Sequence, residues 1–291
     1  MKDINIFCFG FGQVAKNFIK KLSIEKYNIN LSTTTRNNSS KEIYNNITYN
    51  SYLFNRKKFD KNLVGKLKEA DHILVSIPPE NQKDIVAKNF SKFLENPKLK
   101  WITYLSSTSV YGDHKGDWVT ENSETKPTSL KGRARLVAEN SWLSLKINKN
   151  LPVQIFRLSG IYSNEKNILS RLKSGNAKLI NKKKHFFSRI HVEDIACILF
   201  KSLSKFKSGE IYNLADDKPA SSEEIMLYGA KMLNIHNLKK IKVNEIENEM
   251  LGNSYKDSKK VSNKKIKNYF DYNFKFPTYI EGLNYIRNNF I

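Results

Sequence analysis

Long apolar runs and cysteines are both scarce in this sequence of 291 residues. No stretch approaches the roughly 20 apolar residues that span a bilayer, so we expect no membrane partner. The two cysteines, Cys8 and Cys197, fall in a predicted buried strand and a predicted apolar helix, where they form neither a disulfide framework nor a metal-ligand spacing. We therefore expect a protein of a reducing compartment, by default the cytoplasm, without a metal site.

Carboxylates are few relative to basic residues. The chain has 28 Asp and Glu against 50 Lys and Arg, which gives a formal net charge of +22 at pH 7. Such a charge is one feature of nucleic-acid-binding proteins. The lysines are spread along the chain together with many Asn and Ile, however, as expected from an A/T-rich coding sequence. We therefore expect solvated surface lysines, no nucleic-acid partner, and a preference for anionic ligands such as a phosphate-bearing cofactor.

A glycine-rich turn follows the first apolar run of the chain. Residues 4–9 predict a buried strand, and Gly10, Gly12 and Ala15 then form a Gly-x-Gly-x-x-Ala pattern at the start of a predicted helix. The first glycine permits a sharp turn, the second lets backbone N–H groups approach a pyrophosphate, and the small third residue lets the helix pack on the strand. This arrangement predicts a dinucleotide site. Its predicted cofactor-binding residues are Gly10, Gly12, Gln13 and Val14.

The second predicted strand, residues 29–36, ends without a carboxylate. A site specific for NAD usually places Asp or Glu about 20 residues beyond the glycines, where it accepts a hydrogen bond from the ribose 2′-hydroxyl. This sequence offers Thr34, Thr35 and Arg36 instead, whose hydroxyl and guanidinium donors suit a 2′-phosphate. We therefore expect NADP as the cofactor, with Thr35 and Arg36 among its ligands, and NAD as the less favoured alternative.

A continuous apolar run at residues 72–77 is typical of a strand buried on both faces of a parallel sheet. Two prolines end it where a cofactor would cross the sheet edge. We add Ser76, Ile77 and Pro78 to the predicted cofactor contacts. Strands and helices alternate along this half of the chain, which predicts an α/β fold with a doubly wound parallel Rossmann sheet. Residues 37–46, in contrast, predict a polar loop.

The segment after a further predicted strand, the fifth, at residues 101–105, makes the chain recognisable. Residues 106–112 read Ser-Ser-Thr-Ser-Val-Tyr-Gly. Further segments follow in the order of a known family, at residues 132–139, 157–162, 188–196, 209–214 and 260–264. Together they resemble the short-chain dehydrogenase/reductase superfamily, in particular its extended branch, the NAD-dependent epimerase/dehydratase type.

The resemblance implies a Rossmann domain over residues 1–158 and a small C-terminal substrate lobe over residues 159–291, interleaved with segments that return to the sheet. It also implies a catalytic serine four residues before the tyrosine, which is Ser107 here. The expected substrate is small and polar, with sugar- and nucleotide-linked compounds among the alternatives, and the expected assembly is a monomer or a homodimer. Substrate identity should depend on loops at residues 241–257.

The chain departs from the superfamily at its catalytic Tyr-x-x-x-Lys pair. In the superfamily these residues share one helix face, so the lysine lowers the pKa of the phenol and holds the nicotinamide ribose. The matching positions here are Lys131 and Arg135. This pattern resembles an atypical group of the superfamily that lacks the tyrosine.

Several residues are candidates for the missing phenol's role. Lys131 can act as an acid if its pKa is lowered, or can be a surface lysine. Tyr111 can supply a phenol or pack structurally, and His114 is a further candidate in the same loop. Arg135 can donate to ribose hydroxyls, and Ser107 can orient the substrate oxygen.

Two functions remain open from the sequence. The first is an NADP(H)-dependent oxidoreductase or epimerase/dehydratase-like enzyme with a non-standard active site. The second is a non-catalytic NADP(H)-binding sensor or regulatory protein, of which the altered helix would be the signature.

Overall fold

The computed structural model of the chain describes residues 2–80, 82–175, 177–180, 182, 185–242, 245 and 255–291. Residues 243, 244 and 246–254, which make up most of the segment expected to carry substrate-lobe loops, lie outside the described residues. The helices are α1 (Gln13–Ile24), α2 (Asn62–Glu69), α3 (Ile85–Phe90), α4 (Leu130–Lys149), α5 (Ile168–Lys173), α6 (Val192–Ser204), α7 (Ser222–Met232), α8 (Lys264–Phe270) and α9 (Tyr279–Phe290). None of the helices in the described part of the chain is long and apolar enough to cross a membrane.

The strands are β1 (Asp3–Phe9), β2 (Asn28–Thr35), β3 (Ser40–Tyr44), β4 (Ile47–Leu53), β5 (His72–Val75), β6 (Trp101–Ser107), β7 (Trp118–Val119), β8 (Val153–Leu158), β9 (Gly160–Tyr162), β10 (Lys178–Ile180), β11 (Arg189–His191), β12 (Ile211–Leu214), β13 (Lys239–Ile241) and β14 (Lys260–Val261). Eight of them form one sheet in the order β12-β8-β6-β5-β1-β2-β4-β3. The pairs β1–β2, β1–β5, β2–β4 and β5–β6 are parallel. The predicted α/β fold with a parallel Rossmann sheet is therefore confirmed.

One strand of this sheet was not expected. The prediction of a loop at residues 37–46 is wrong, because β3 runs antiparallel to β4 at the sheet edge. Asn45 and Asn46 both have positive φ values, +50° and +61°, as in the tight turns that join hairpin strands. Most of β3 is exposed, so its sequence lacks the apolar alternation by which a half-buried strand is detected.

The chain forms two compact units. The first comprises Met1–Ser107, Arg133–Arg157 and Ile195–Tyr212, and the second comprises Thr108–Gly132, Leu158–Asp194 and Asn213–Ile291. The second unit carries three two-stranded parallel sheets, β9–β11, β10–β13 and β7–β14. The domain division at residue 158 stays a prediction.

The hydrophobic core of the first unit fixes the position of the glycine turn. Helix α1 buries one face, formed by Val14, Ala15, Phe18, Ile19 and Leu22. On the first strand Phe9 packs with Phe54 and Phe90, whose ring centroids lie 5.0 to 6.0 Å apart. Phe9 is therefore anchored immediately before Gly10, and the turn begins from a fixed point.

Candidate functional site

The glycine turn is tied to both neighbouring strands. Gly10 has φ of +85°, and a Cβ on it would lie 2.8 Å from the Ser76 Oγ, so the protein itself requires glycine here. The Gly10 N–H donates to the Thr34 Oγ1 at 2.8 Å. The Ser76 Oγ lies 3.0 Å from the Phe9 carbonyl oxygen and 3.1 Å from that of Gly10. These bonds fix the turn against the ends of β2 and β5.

Gly12 and the start of α1 have unused capacity to bind an anion. A Cβ on Gly12 would meet no atom of the described residues within 4 Å. Gly12 provides no side-chain cap, and the first turn of α1 has no acidic residue. The Gln13 Oε1 is buried without a hydrogen-bond partner among the described residues. The start of α1 therefore has neither a side-chain cap nor an acidic residue to compete with an anion, and the helix dipole favours negative charge there.

A cleft of about 880 Å³ opens at this turn, which is within the usual range for small-molecule sites. Its lining includes most of the cofactor-binding residues predicted from the sequence: Gly10, Gly12, Thr35, Arg36, Ser76, Ile77 and Pro78. Gln13, Val14 and Arg135 do not line it, and the Val14 side chain is buried in the core. A nicotinamide dinucleotide fits the donors, the glycines and the size of this cleft.

Charged residues that sequence reasoning missed also line the cleft. Arg56 and Lys57 follow β4, and Glu80 follows β5. The Arg56 Nε donates to the Glu80 carboxylate, and together with Arg36 the lining holds three cations against one carboxylate. A signal was available, because residues 47–54 have the pattern of a short strand, and Arg56 and Lys57 follow its carboxyl end closely.

Arg135 is anchored to the end of β6. Its Nη1 donates to the Leu105 carbonyl oxygen at 2.5 Å and to the Tyr104 hydroxyl at 3.1 Å. Burial raises the pKa of Tyr104 although the neighbouring Arg135 acts in the opposite direction. The phenol beside Arg135 is therefore held protonated, and it does not offer the acidic hydroxyl that the missing tyrosine would supply.

A buried ion pair lies one helical turn further along α4. The Ser106 Oγ donates to the Glu139 Oε1 at 2.5 Å, and the Arg157 Nη2 donates to the Glu139 Oε2 at 2.7 Å. Both charged side chains are almost fully buried. Arg135 and Glu139 thus hold consecutive residues of β6 immediately before Ser107.

The remaining catalytic candidates lie in different environments. Tyr111 is fully buried and donates its hydroxyl to the Asn213 Oδ1 at 2.7 Å, which favours a structural role. Lys131 is exposed in the first turn of α4, and Ser107 is half-buried at the end of β6. The His114 Nε2 lies 3.2 Å from the Glu124 carbonyl oxygen. Catalytic roles for these residues stay predictions.

The second unit contains a separate cavity of about 500 Å³. Its lining carries four cations and one carboxylate, namely Lys166, Arg171, Lys178, Arg189 and Glu165. The Arg189 Nη1 donates to the Phe187 and Ala220 carbonyl oxygens at 2.9 and 3.0 Å. Burial lowers the pKa of Arg189 to about 10, so it stays charged at neutral pH. The cavity therefore suits a polar anion, and sequence reasoning missed it because its lining comes from distant segments.

No group of three or more His, Cys, Asp or Glu side chains in the described part of the chain is arranged to hold a metal ion.

Comparisons with known proteins agree with this geometry. Residues 89–215 match the model of the NAD dependent epimerase/dehydratase family. No curated protein matches the chain. A functionally unknown conserved protein from Silicibacter pomeroyi has a similar structure, with a TM-score of 0.85 and 28% identity over 99% of each chain.

Two structures of lower identity share the fold. dTDP-glucose 4,6-dehydratase from Bacillus anthracis, in complex with NAD, has a TM-score of 0.78 and 21% identity over 99% of this chain and 96% of that one. UDP-glucuronic acid 4-epimerase from Bacillus cereus, in complex with NAD, has a TM-score of 0.76 and 16% identity over 100% of both chains. The match of residues 89–215 to the family model confirms the resemblance stated from the sequence motifs, and these two structures confirm the fold.

Proposed function

We propose that this chain, an extended short-chain dehydrogenase/reductase of the epimerase/dehydratase type, is an NADP(H)-dependent enzyme. The cofactor occupies the cleft of the first unit. The substrate of the enzyme is small and polar, with sugar- and nucleotide-linked compounds as the candidates.

The observation that carries the cofactor proposal is the charge at the ends of β2 and β4. Arg36, Arg56 and Lys57 give this part of the cleft a cationic excess, and no carboxylate follows β2 to accept from a ribose 2′-hydroxyl. A 2′-phosphate supplies two negative charges and suits guanidinium donors. The NAD bound by the two neighbours of lower identity is the alternative that a direct comparison must exclude.

The catalytic and positioning roles belong to residues at the end of β6 and at the start of α4. When bound, the cofactor supplies a hydride donor or acceptor. Ser107 hydrogen-bonds the reacting oxygen, and the exposed Lys131 ammonium exchanges the proton that the superfamily's tyrosine would handle. Arg135 keeps one Nη on the backbone of β6 and so positions the strand end that carries Ser107.

The cofactor proposal is tested by titrating the purified protein with NADPH and NADH and following nucleotide fluorescence. We expect tighter binding of NADPH, and we expect Arg36→Ala to lose about tenfold in NADPH affinity or more while NADH changes little. Equal affinity for both nucleotides would remove the 2′-phosphate argument. Binding of neither would overturn the cofactor proposal.

The second candidate function, a sensor without chemistry, is favoured by two observations. The tyrosine position holds Lys131, and the phenol of Tyr111 is buried and bonded to Asn213. An enzyme should exchange the hydride of 4-deuterated NADPH with nucleotide-linked keto-sugars or simple carbonyl compounds, and Ser107→Ala should abolish the exchange while retaining NADPH affinity. A sensor should bind NADPH with no exchange in any substrate mixture.

A further inference from the structure

The loop after β4 runs beside the loop after β2. Thr35 is paired with Leu53 in the parallel register, and the Phe54 N–H donates to the Thr35 carbonyl oxygen at 2.7 Å. The Asn55 Nδ2 then donates to the Arg36 carbonyl oxygen at 3.3 Å. Residues after the two strands therefore leave the sheet together. Arg56 reaches the same cleft as Arg36 because of this pairing.

The backbone under Arg56 is fixed, whereas its side chain is free to rearrange. The Asn55 Oδ1 accepts from the N–H groups of Lys57 and Lys58 at 3.0 and 3.1 Å, and the Asn55 N–H donates to the Lys58 carbonyl oxygen at 3.0 Å. The Arg56 side chain is 66% exposed and reaches the Glu80 carboxylate through its Nε. Its terminal nitrogens keep donors that a phosphate can use.

Glu80 is held rigidly at the wall of the cleft. Its backbone exchanges two hydrogen bonds with Lys83, each of 2.9 Å, and its side chain is only 26% exposed. A carboxylate in this place has two possible uses. It can accept from the 2′-hydroxyl of NAD, or it can neutralise Arg56 while the cleft holds no phosphate. The existing ion pair favours the second use.

We propose that Arg56 is a second ligand of the ribose 2′-phosphate and that Glu80 competes with this phosphate for the Arg56 guanidinium. The proposal rests on the proposed function, since it requires a dinucleotide in the cleft. An exposed ion pair contributes little to stability, so a doubly charged phosphate displaces the Glu80 carboxylate readily. Arg36 and Arg56 then hold the phosphate from adjacent strand ends, and Glu80 sets how strongly NADP is preferred over NAD.

The experiment uses two fragments of the cofactor that differ only in the phosphate, 2′,5′-ADP and 5′-AMP. Their affinities are measured by calorimetry for the full chain and for Arg56→Gln, Glu80→Gln and Lys58→Gln. Lys58 is the matched control, because it is a neighbouring exposed cation that does not line the cleft.

We expect Arg56→Gln to lower the affinity for 2′,5′-ADP by about tenfold and the affinity for 5′-AMP by less than about twofold. Glu80→Gln should strengthen 2′,5′-ADP by about threefold or more, because the competing charge is removed, and should leave 5′-AMP unchanged. Lys58→Gln should change neither affinity.

Three outcomes would overturn the inference, and they separate it from the proposed function. A preference for 2′,5′-ADP that Arg56→Gln leaves unchanged would leave NADP binding intact and remove Arg56 as a ligand. Weaker binding of 5′-AMP and NADH by Glu80→Gln would show that Glu80 accepts from the ribose hydroxyl. Failure of the wild-type chain to bind either fragment or either dinucleotide would overturn both proposals.

Discussion

The two glycines of the dinucleotide turn are glycine for different physical reasons. At Gly10 a positive φ and the nearby Ser76 Oγ exclude any side chain. At Gly12 the backbone is extended, with φ of −87° and ψ of −170°, and open space lies where a Cβ would be. The described protein atoms therefore tolerate a methyl group at Gly12. In the proposed function, the pyrophosphate of the dinucleotide lying against the helix N-terminus is what requires glycine there.

This difference predicts that alanine at Gly12 lowers NADPH affinity, whereas alanine at Gly10 lowers folding stability. Gly12→Ala should fold with the stability of the wild-type chain but bind NADPH about tenfold more weakly or worse, because the methyl group occupies the place of the pyrophosphate. Gly10→Ala should lose about 1–3 kcal/mol of folding stability through backbone strain. Urea denaturation and fluorescence titration measure the two effects.

Gly65 provides the control for these substitutions. It lies inside α2 with nothing near its Cβ position, so Gly65→Ala should gain about 0.5–1 kcal/mol of stability and leave NADPH affinity unchanged. A Gly12→Ala variant that binds NADPH as tightly as the wild-type chain would contradict the placement of the pyrophosphate at α1.

At the scale of elements, α4 is fastened to β6 by a polar face. Arg135 donates to the Leu105 backbone, and Glu139 accepts from Ser106 while it is paired with Arg157. A buried ion pair adds little net stability compared with an apolar pair of the same shape, but losing one partner strands a buried charge. The arrangement therefore serves position more than stability. It fixes the strand end that carries Ser107.

The elements that sequence patterns predicted are those with a local cause. β1, the glycine turn and α1 form one continuous signal of apolar run, turn residues and helical periodicity, and the structure has them at Asp3–Phe9 and Gln13–Ile24. The apolar run ending in Pro78 likewise contains β5. β3 was missed because an exposed edge strand has no burial pattern to detect.

The contacts that give the cleft its charge have no local cause. Arg56 and Glu80 are 24 residues apart in the chain, and their ion pair depends on the strand order of the sheet, in which β1 and β2 lie between β5 and β4. The pairing of Glu139 with Arg157 is of the same kind. The sequence patterns place residues at the ends of strands, but they do not show which strand ends lie close together. Strand order and register are set by packing of the whole sheet.

At the scale of the whole molecule, the formal charge of +22 and the buried titratable groups act on different properties. Exposed lysines are screened by salt and affect mainly solubility and the capture of anions. Buried groups determine how stability changes with pH. Burial raises the pKa of Asp84 and Asp194, and it lowers the pKa of His191 to about 4. As the pH falls, protonation of the two carboxylates therefore favours the folded chain, whereas protonation of the histidine favours the unfolded chain.

His191 has the clearest environment for a test. It is fully buried against the Phe276 ring at 4.1 Å, and its Nε2 has no hydrogen-bond partner among the described residues. Burial is the main cause of its low pKa; Lys275 also lowers the value, and Glu193 raises it. Since an unfolded histidine titrates near 6.5, the unfolded chain binds more protons below that pH. The contribution of His191 to stability is thus fully present above about pH 6.5 and is lost as the pH falls toward 4.

Replacing this ring by one that does not titrate should remove that loss. Between pH 7 and pH 5, we expect the free energy of unfolding of the wild-type chain to fall by about 2 kcal/mol more than that of His191→Phe. Any pH-independent effect of the substitution cancels in this comparison. Urea denaturation of both proteins at the two pH values measures the difference. Leu172→Ala is the control, because a packing defect in a buried apolar cluster that does not include His191 should cost the same at both pH values. Equal pH dependence in the wild-type chain and His191→Phe would mean that His191 is protonated, or open to water, in the folded protein.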